Sequence, residues 1–91
     1  MYVVVKHQIS NPTKFREAGM AAVSKLPAGV KSHSFLPSAD GSYAVCLWEA
    51  DSIATVKNFI EPVIGQVSRN EYYQVDAKNA FGLPELAKQT L

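Results

Sequence analysis

The chain has 91 residues, of which 47% are hydrophobic, and nine basic against eight acidic residues give a formal net charge of +1. A chain of this length forms one domain that buries only about 60–65% of its unfolded surface, so a single copy is marginally stable. The high hydrophobic fraction predicts that some apolar surface packs against a partner chain. The nearly balanced charge gives no indication of binding to nucleic acid or to a membrane surface.

The single cysteine, Cys46, has no intramolecular disulfide partner and lies inside a strand-forming run. A buried, reduced thiol is the expected state, which fits the cytosol. The apolar run at residues 2–5 is too short for a signal-peptide core of about 7–15 residues or a membrane-spanning helix of about 20. We therefore predict a cytoplasmic protein without membrane partners.

The first predicted strand, residues 2–9, carries two faces because successive side chains alternate. One face holds Val3, Val5, His7 and Ile9, and the other holds Tyr2, Val4, Lys6 and Gln8. Since both faces are mostly apolar, this strand is expected in the centre of a sheet that is covered on both sides.

A helix is predicted over residues 12–26, where Asn11 is the N-cap and Pro12 takes the first helical position. A second helix is predicted over residues 52–61, with Ser52 at its start. Pro62 should interrupt this second helix, because it lacks an amide donor and biases Glu61 away from helical angles.

Two strands, residues 30–36 and 43–50, flank the turn dipeptide Asp40-Gly41 and should pair as an antiparallel hairpin. In the first of them, strict alternation puts Lys31, His33 and Phe35 on one face. In the second, it separates Ala44, Cys46 and Trp48 from Tyr43, Val45 and Leu47. The last strand is predicted over residues 71–77.

The order βαββαβ predicts an α+β, ferredoxin-like fold with a four-stranded antiparallel sheet. Residues 1–77 form this domain. Residues 78–91 form a C-terminal tail that packs on the domain or on a partner chain, with a short helix predicted from Leu83.

Residues 2–77 resemble the dimeric α/β-barrel superfamily, which includes antibiotic-biosynthesis monooxygenase-like proteins, small isomerases and haem-degrading monooxygenases. The resemblance lies in the short apolar first strand with a polar residue near its end, the proline-started helix, the hairpin whose second strand ends in Trp48-Glu49, and the helix interrupted near Pro62. It implies a homodimer whose two sheets pack face to face and form a barrel. Tyr43, Val45 and Leu47 would face the partner sheet.

The resemblance also implies that His7 and Trp48 face a cleft between the sheet and the helices, with Cys46 on the same side. The chain departs from the haem-degrading members, which ligate iron through a histidine on the second helix, because residues 53–68 contain no histidine. We therefore predict no cofactor. We also predict no metal site, since His7, His33, Cys46 and Glu49 show no recognised ligand spacing.

His7 is the main candidate for chemistry, because burial among valines would lower its pKa and leave a neutral base at pH 7. A structural histidine bonded to a backbone carbonyl is the alternative. We assign His7 and Tyr73 as catalytic and assign substrate binding to Trp48, Phe35, Cys46 and Tyr72. The two tyrosines point to opposite faces of the last strand, and alternation alone does not say which phenol reaches the cleft to stabilise an enolate.

Two functions remain open at this point. The first is a small cofactor-independent enzyme, an isomerase or monooxygenase-like protein, that acts on a hydrophobic carbonyl-containing small molecule. The alternative is a non-catalytic homodimer that binds a ligand or a protein partner. A cavity of about 300–1,000 Å³ between sheet and helices would favour the first, and a cleft filled by side chains would favour the second.

Overall fold

The computed structural model describes residues 1–84 and contains four strands and two helices in that part of the chain. The elements are β1 (Tyr2–Ile9), α1 (Pro12–Val23), β2 (Lys31–Pro37), β3 (Tyr43–Glu49), α2 (Ile53–Ile64) and β4 (Ser68–Gln74). The strands form one antiparallel sheet in the order β2-β3-β1-β4. The predicted α+β, ferredoxin-like fold is confirmed, and most of the helix predicted from Leu83 lies outside the described residues.

The core lies between one face of the sheet and the two helices. Alternation along β1 and β3 sets this face as predicted, with Val3, Val5 and Trp48 almost fully buried. The helices contribute Phe15 from α1 and three side chains from α2, which are Val56, Ile60 and Ile64. No helix within residues 1–84 combines the length and apolar character needed to cross a membrane.

Both helices begin at the predicted caps. Asn11 Oδ1 accepts a hydrogen bond from the amide of Lys14 at 3.1 Å, and Ser52 Oγ accepts one from the amide of Thr55 at 3.1 Å. Helix α1 ends at Val23, three residues before the predicted end. The amide of Lys25 bonds to the carbonyl of Ala22 at 3.0 Å, a contact of 3₁₀ type that tightens the chain and closes the helix.

The predicted interruption at Pro62, with a break or a short second turn after it, is wrong, because α2 runs as one helix from Ile53 to Ile64. The amide of Gly65 bonds to the carbonyl of Glu61 at 2.8 Å and completes the last turn around the proline. Ile64 is only 4% exposed, so its burial against the core offsets the donor lost at Pro62.

Strict alternation fails in β2. The register shifts between Ser32 and Ser34, so that Ser32 pairs with Trp48 and Phe35 pairs with Cys46, while Lys31 pairs with Glu49. The extra residue of this bulge is His33, and Lys31 and Phe35 therefore lie on opposite faces, contrary to the prediction. His33 Nε2 lies 2.8 Å from Glu49 Oε1, and this bond lowers the pKa of the Glu49 carboxyl.

Strand β4 begins three residues earlier than predicted and also ends three residues earlier. The loop after α2 is short, and the amide of Ser10 already bonds to the carbonyl of Val67 at 2.9 Å. Pairing with β1 therefore starts at Ser68, opposite Ile9. This earlier start brings Asn70 into the sheet, directly opposite His7.

Candidate functional site

A cavity of about 410 Å³ lies between the sheet and the helices and opens between α1 and β2. This volume falls within the range of about 300–1,000 Å³ that is usual for small-molecule sites. Helix α2 contributes Ile60 and Ile64 to its wall. Helix α1 and the sheet supply most of the remainder, including Phe15, Arg16, Gly19, Met20, Val23, His7, Phe35, Cys46 and Trp48.

His7 is the principal titratable group in the cavity wall. Its side chain comes from the central strand β1 and is only 3% exposed. The Nδ1 atom lies 2.6 Å from Asn70 Oδ1, and the Nε2 atom lies 3.1 Å from Cys46 Sγ. The ring also meets the edge of Phe15, with centroids 4.9 Å apart. Both ring nitrogens are thus fixed by side chains of neighbouring strands.

Glu61 and Ser68 orient Asn70, and Asn70 in turn sets the tautomer of His7. Asn70 donates through Nδ2 to Glu61 Oε2, 2.9 Å away, and its Oδ1 atom accepts from Ser68 Oγ at 2.8 Å. Asn70 therefore presents its carbonyl oxygen to His7, and the Nδ1 atom of His7 must be the donor in that bond. A neutral His7 consequently has its proton on Nδ1 and its free lone pair on Nε2.

Burial is the largest influence on His7 and lowers its pKa from the ordinary value of 6.5. The hydrogen bond to Asn70 and the charge of Glu61 act in the opposite direction but are smaller. His7 is therefore neutral at pH 7, as a general base must be.

Cys46 is a protonated thiol that donates to the lone pair of His7. Burial raises its pKa to about 12. Hydrogen bonds link Cys46 to His7 and His7 to Asn70. A thiol nucleophile, its base and the residue that orients the base are linked in the same order. Burial dominates and keeps the thiol protonated, so the arrangement does not activate Cys46.

Trp48 and Phe35 both line the cavity but differ in exposure. Trp48 is buried and meets Phe59 of α2 edge-on, with ring centroids 6.2 Å apart. Phe35 is about half exposed at the mouth and stacks on Phe15 with centroids 6.1 Å apart. Of the two substrate-binding candidates, Trp48 therefore forms part of the inner wall of the cavity and Phe35 forms part of its rim.

The two tyrosines lie on opposite faces of β4, and neither lines the cavity. Tyr72 is on the helix side and donates to Glu61 Oε2, and burial followed by the effect of Glu61 raises its pKa. Tyr73 is half exposed on the other face of the sheet, away from His7. The sequence assigned Tyr73 to catalysis and Tyr72 to substrate binding, and their positions in the structure give no support for either role.

Three residues of this region were not predicted from the sequence, namely Asn70, Glu61 and Arg16. Asn70 lies two residues before Tyr72, so alternation along β4 places both on the same face. The strand predicted from the sequence begins at residue 71 and therefore does not include Asn70. Within the described part of the chain, no group of three or more His, Cys, Asp or Glu side chains is arranged to hold a metal ion.

Comparison with known proteins gives no family assignment, since neither a protein-family model nor a curated protein sequence matches this chain. The ferredoxin-like fold is established by the element order and the sheet topology.

Proposed function

We propose that the protein binds a hydrophobic carbonyl-containing small molecule in this cavity and that His7 removes a proton from the carbon beside the carbonyl. Such a reaction would class the protein as an isomerase or a monooxygenase-like enzyme that needs no cofactor. The observation that supports it is an imidazole with a defined lone pair on Nε2 in the wall of an apolar cavity of about 410 Å³.

The assignment of the base to His7 rather than to Cys46 follows from their protonation. His7 is neutral at pH 7 because burial lowers its pKa, whereas burial raises the pKa of Cys46 to about 12 and keeps the thiol protonated. A thiol is a weak hydrogen-bond donor. A substrate C–H group that approaches Nε2 therefore displaces a weak bond.

The test begins with the molecule that the protein carries. Native mass spectrometry of freshly purified protein, compared with its denatured mass, should identify a bound carbonyl compound. With that compound in D₂O, the wild type should exchange the proton beside the carbonyl, and His7→Gln should lose about 10²–10⁴-fold of the rate, the usual contribution of a general base. His33→Gln, outside the cavity, is the matched control. Exchange at the wild-type rate in His7→Gln would exclude the proposed base.

A non-catalytic binding module is the second candidate, and a specific observation favours it. Both nitrogens of His7 already have partners within the protein, Asn70 and Cys46, as a structural histidine would. Cys46→Ala distinguishes the two functions because it frees Nε2 without a change of strand register. If His7 is the base, this variant keeps or exceeds the wild-type exchange rate. If the protein is a binding module, neither the wild type nor Cys46→Ala catalyses exchange.

We further infer that two copies pair through the sheet face that the helices leave uncovered. Leu36, Tyr43, Val45 and Tyr73 are all at least 41% exposed on this face. Four of its charged residues stand opposite one another in the register, Lys6 beside Glu71 and Lys31 beside Glu49, and Arg69 of the edge strand β4 stands opposite Gln8. Because most of the charges on this face are paired within it, the apolar side chains can drive a two-fold symmetric contact.

A further inference from the structure

Among residues 1–84, the cavity wall contains one permanently charged side chain, and that charge is positive. Arg16 of α1 lines the mouth, and no carboxylate from this part of the chain lines the cavity. Within residues 1–84 the only ion pair joins His33 to Glu49, so Arg16 has no acidic partner in that part of the chain. An apolar site with a single guanidinium at its mouth is complementary to an apolar molecule that has an anionic group at one end.

Gly19 lies three residues after Arg16 on α1 and also lines the cavity. A glycine inside a helix is destabilising relative to alanine, and a tight contact often explains its presence. Here a Cβ atom would meet no protein atom within 4 Å, so packing within the described residues does not require glycine. The missing side chain leaves open space in the cavity wall, one helical turn from Arg16.

The rim of the cavity beside Gly19 is apolar. Met20 and Val23 of α1 are 69% and 46% exposed, and Phe35 of β2 faces them across the mouth. The volume of about 410 Å³ exceeds the cavity of about 150 Å³ that encloses one benzene molecule. The site therefore has room for a chain or for more than one ring, with its polar end at the mouth.

We propose that the ligand is an amphipathic carboxylate, with its apolar body in the cavity and its carboxylate bound to Arg16 across Gly19. This inference rests on the proposed function and narrows its substrate class to carbonyl compounds that are also apolar acids. Arg16 is then the residue that selects for the acid, because a guanidinium binds a carboxylate through two parallel hydrogen bonds.

The experiment compares octanoate with 1-octanol, which has the same chain length without the charge. Trp48 is the only tryptophan of the chain and lies in the cavity wall, so its fluorescence reports occupancy. At low ionic strength, we expect octanoate to bind about tenfold more tightly than 1-octanol, as a charge-assisted hydrogen bond would give. Arg16→Gln should remove this preference without weakening 1-octanol. Lys14→Gln, on the same helix but outside the cavity, should leave both affinities unchanged.

A second pair of variants tests whether the ligand uses the open space at Gly19. Gly19→Leu places a side chain in the open space and should weaken both probes. Gly19→Ala adds only a Cβ that meets nothing, and it should leave octanoate binding within about twofold of the wild type.

The outcomes separate this inference from the proposed function. If 1-octanol binds as tightly as octanoate, or if Arg16→Gln keeps the preference for the acid, the carboxylate assignment is wrong and the apolar site stands. If neither probe changes the fluorescence of Trp48, the inference fails together with the proposed binding site.

Discussion

At the scale of single residues, the burial of a neutral His7 makes stability depend on pH. In the unfolded chain the imidazole takes up a proton near its ordinary pKa of 6.5, whereas the folded pKa is lower. The unfolded state therefore binds more protons below pH 6.5, and this contribution to stability is complete above that pH and declines as pH falls toward the folded pKa.

We expect the free energy of unfolding to decrease by up to about 1.4 kcal/mol per pH unit in this window. Urea unfolding between about pH 7.5 and 5 measures the slope above the range in which carboxyl groups protonate. His7→Gln should be less stable but should show a flatter profile. An equal slope in both proteins would mean that another group causes the loss.

The link from Glu61 through Asn70 to His7 makes a second prediction at this scale. Nitrogen NMR of the wild type should find the His7 proton on Nδ1. In Glu61→Gln the new amide both donates and accepts, and the Ser68 hydroxyl beside Asn70 Oδ1 does the same, so Asn70 can reverse and His7 should populate both tautomers. Loss of the charge-assisted bonds should cost about 1–3 kcal/mol of stability. Asp51→Asn, which changes an exposed carboxylate before α2, is the control and should leave the tautomer unchanged. If Glu61→Gln still shows only the Nδ1 tautomer, Asn70 is held by other contacts.

At the scale of elements, the two helix-associated glycines have opposite roles. Gly19 is inside α1, and its Cβ would meet no protein atom, whereas a Cβ at Gly65 would lie 2.7 Å from the carbonyl oxygen of Glu61. We expect Gly19→Ala to stabilise the protein by about 0.5–1 kcal/mol, the difference in helix propensity. Gly65→Ala should destabilise it, since the last turn of α2 must shift. Thermal unfolding of the two variants checks this, and a gain in stability for Gly65→Ala would contradict the close approach.

The elements also show what sequence reasoning could reach. The family resemblance placed His7 and Trp48 on the helix side, and alternation added Cys46 to the face of Trp48, which holds because β1 and β3 are regular strands. It failed in β2, where the bulge at His33 reverses the faces, since a bulge depends on pairing with the neighbouring strand. The network of Asn70 and Glu61 could not be predicted either, because it depends on where β4 begins and on a helix that continues past Pro62.

At the scale of the whole molecule, the helices cover one face of the sheet, whereas the other, open face exposes several large apolar side chains although Tyr2 at its edge is buried. The helices bury Val3, Val5 and Trp48 on the inner face, while Val45 on the outer face is 41% exposed beside Tyr43 and Leu36. A domain of this size gains only a few kcal/mol from its own core, so pairing of two open faces would add stability that the single copy lacks.

The same face supplies the last prediction, which concerns Val45→Lys. Native mass spectrometry at micromolar concentration should find a dimer for the wild type and a monomer for this variant, because two-fold pairing would bury the introduced charge in both copies. Val63→Lys is the matched control, since Val63 is similarly exposed at 39% but lies on α2, away from the open face. It should remain a dimer. A monomeric wild type would refute pairing through the sheet, and loss of the dimer in Val63→Lys alone would move the contact to the helices.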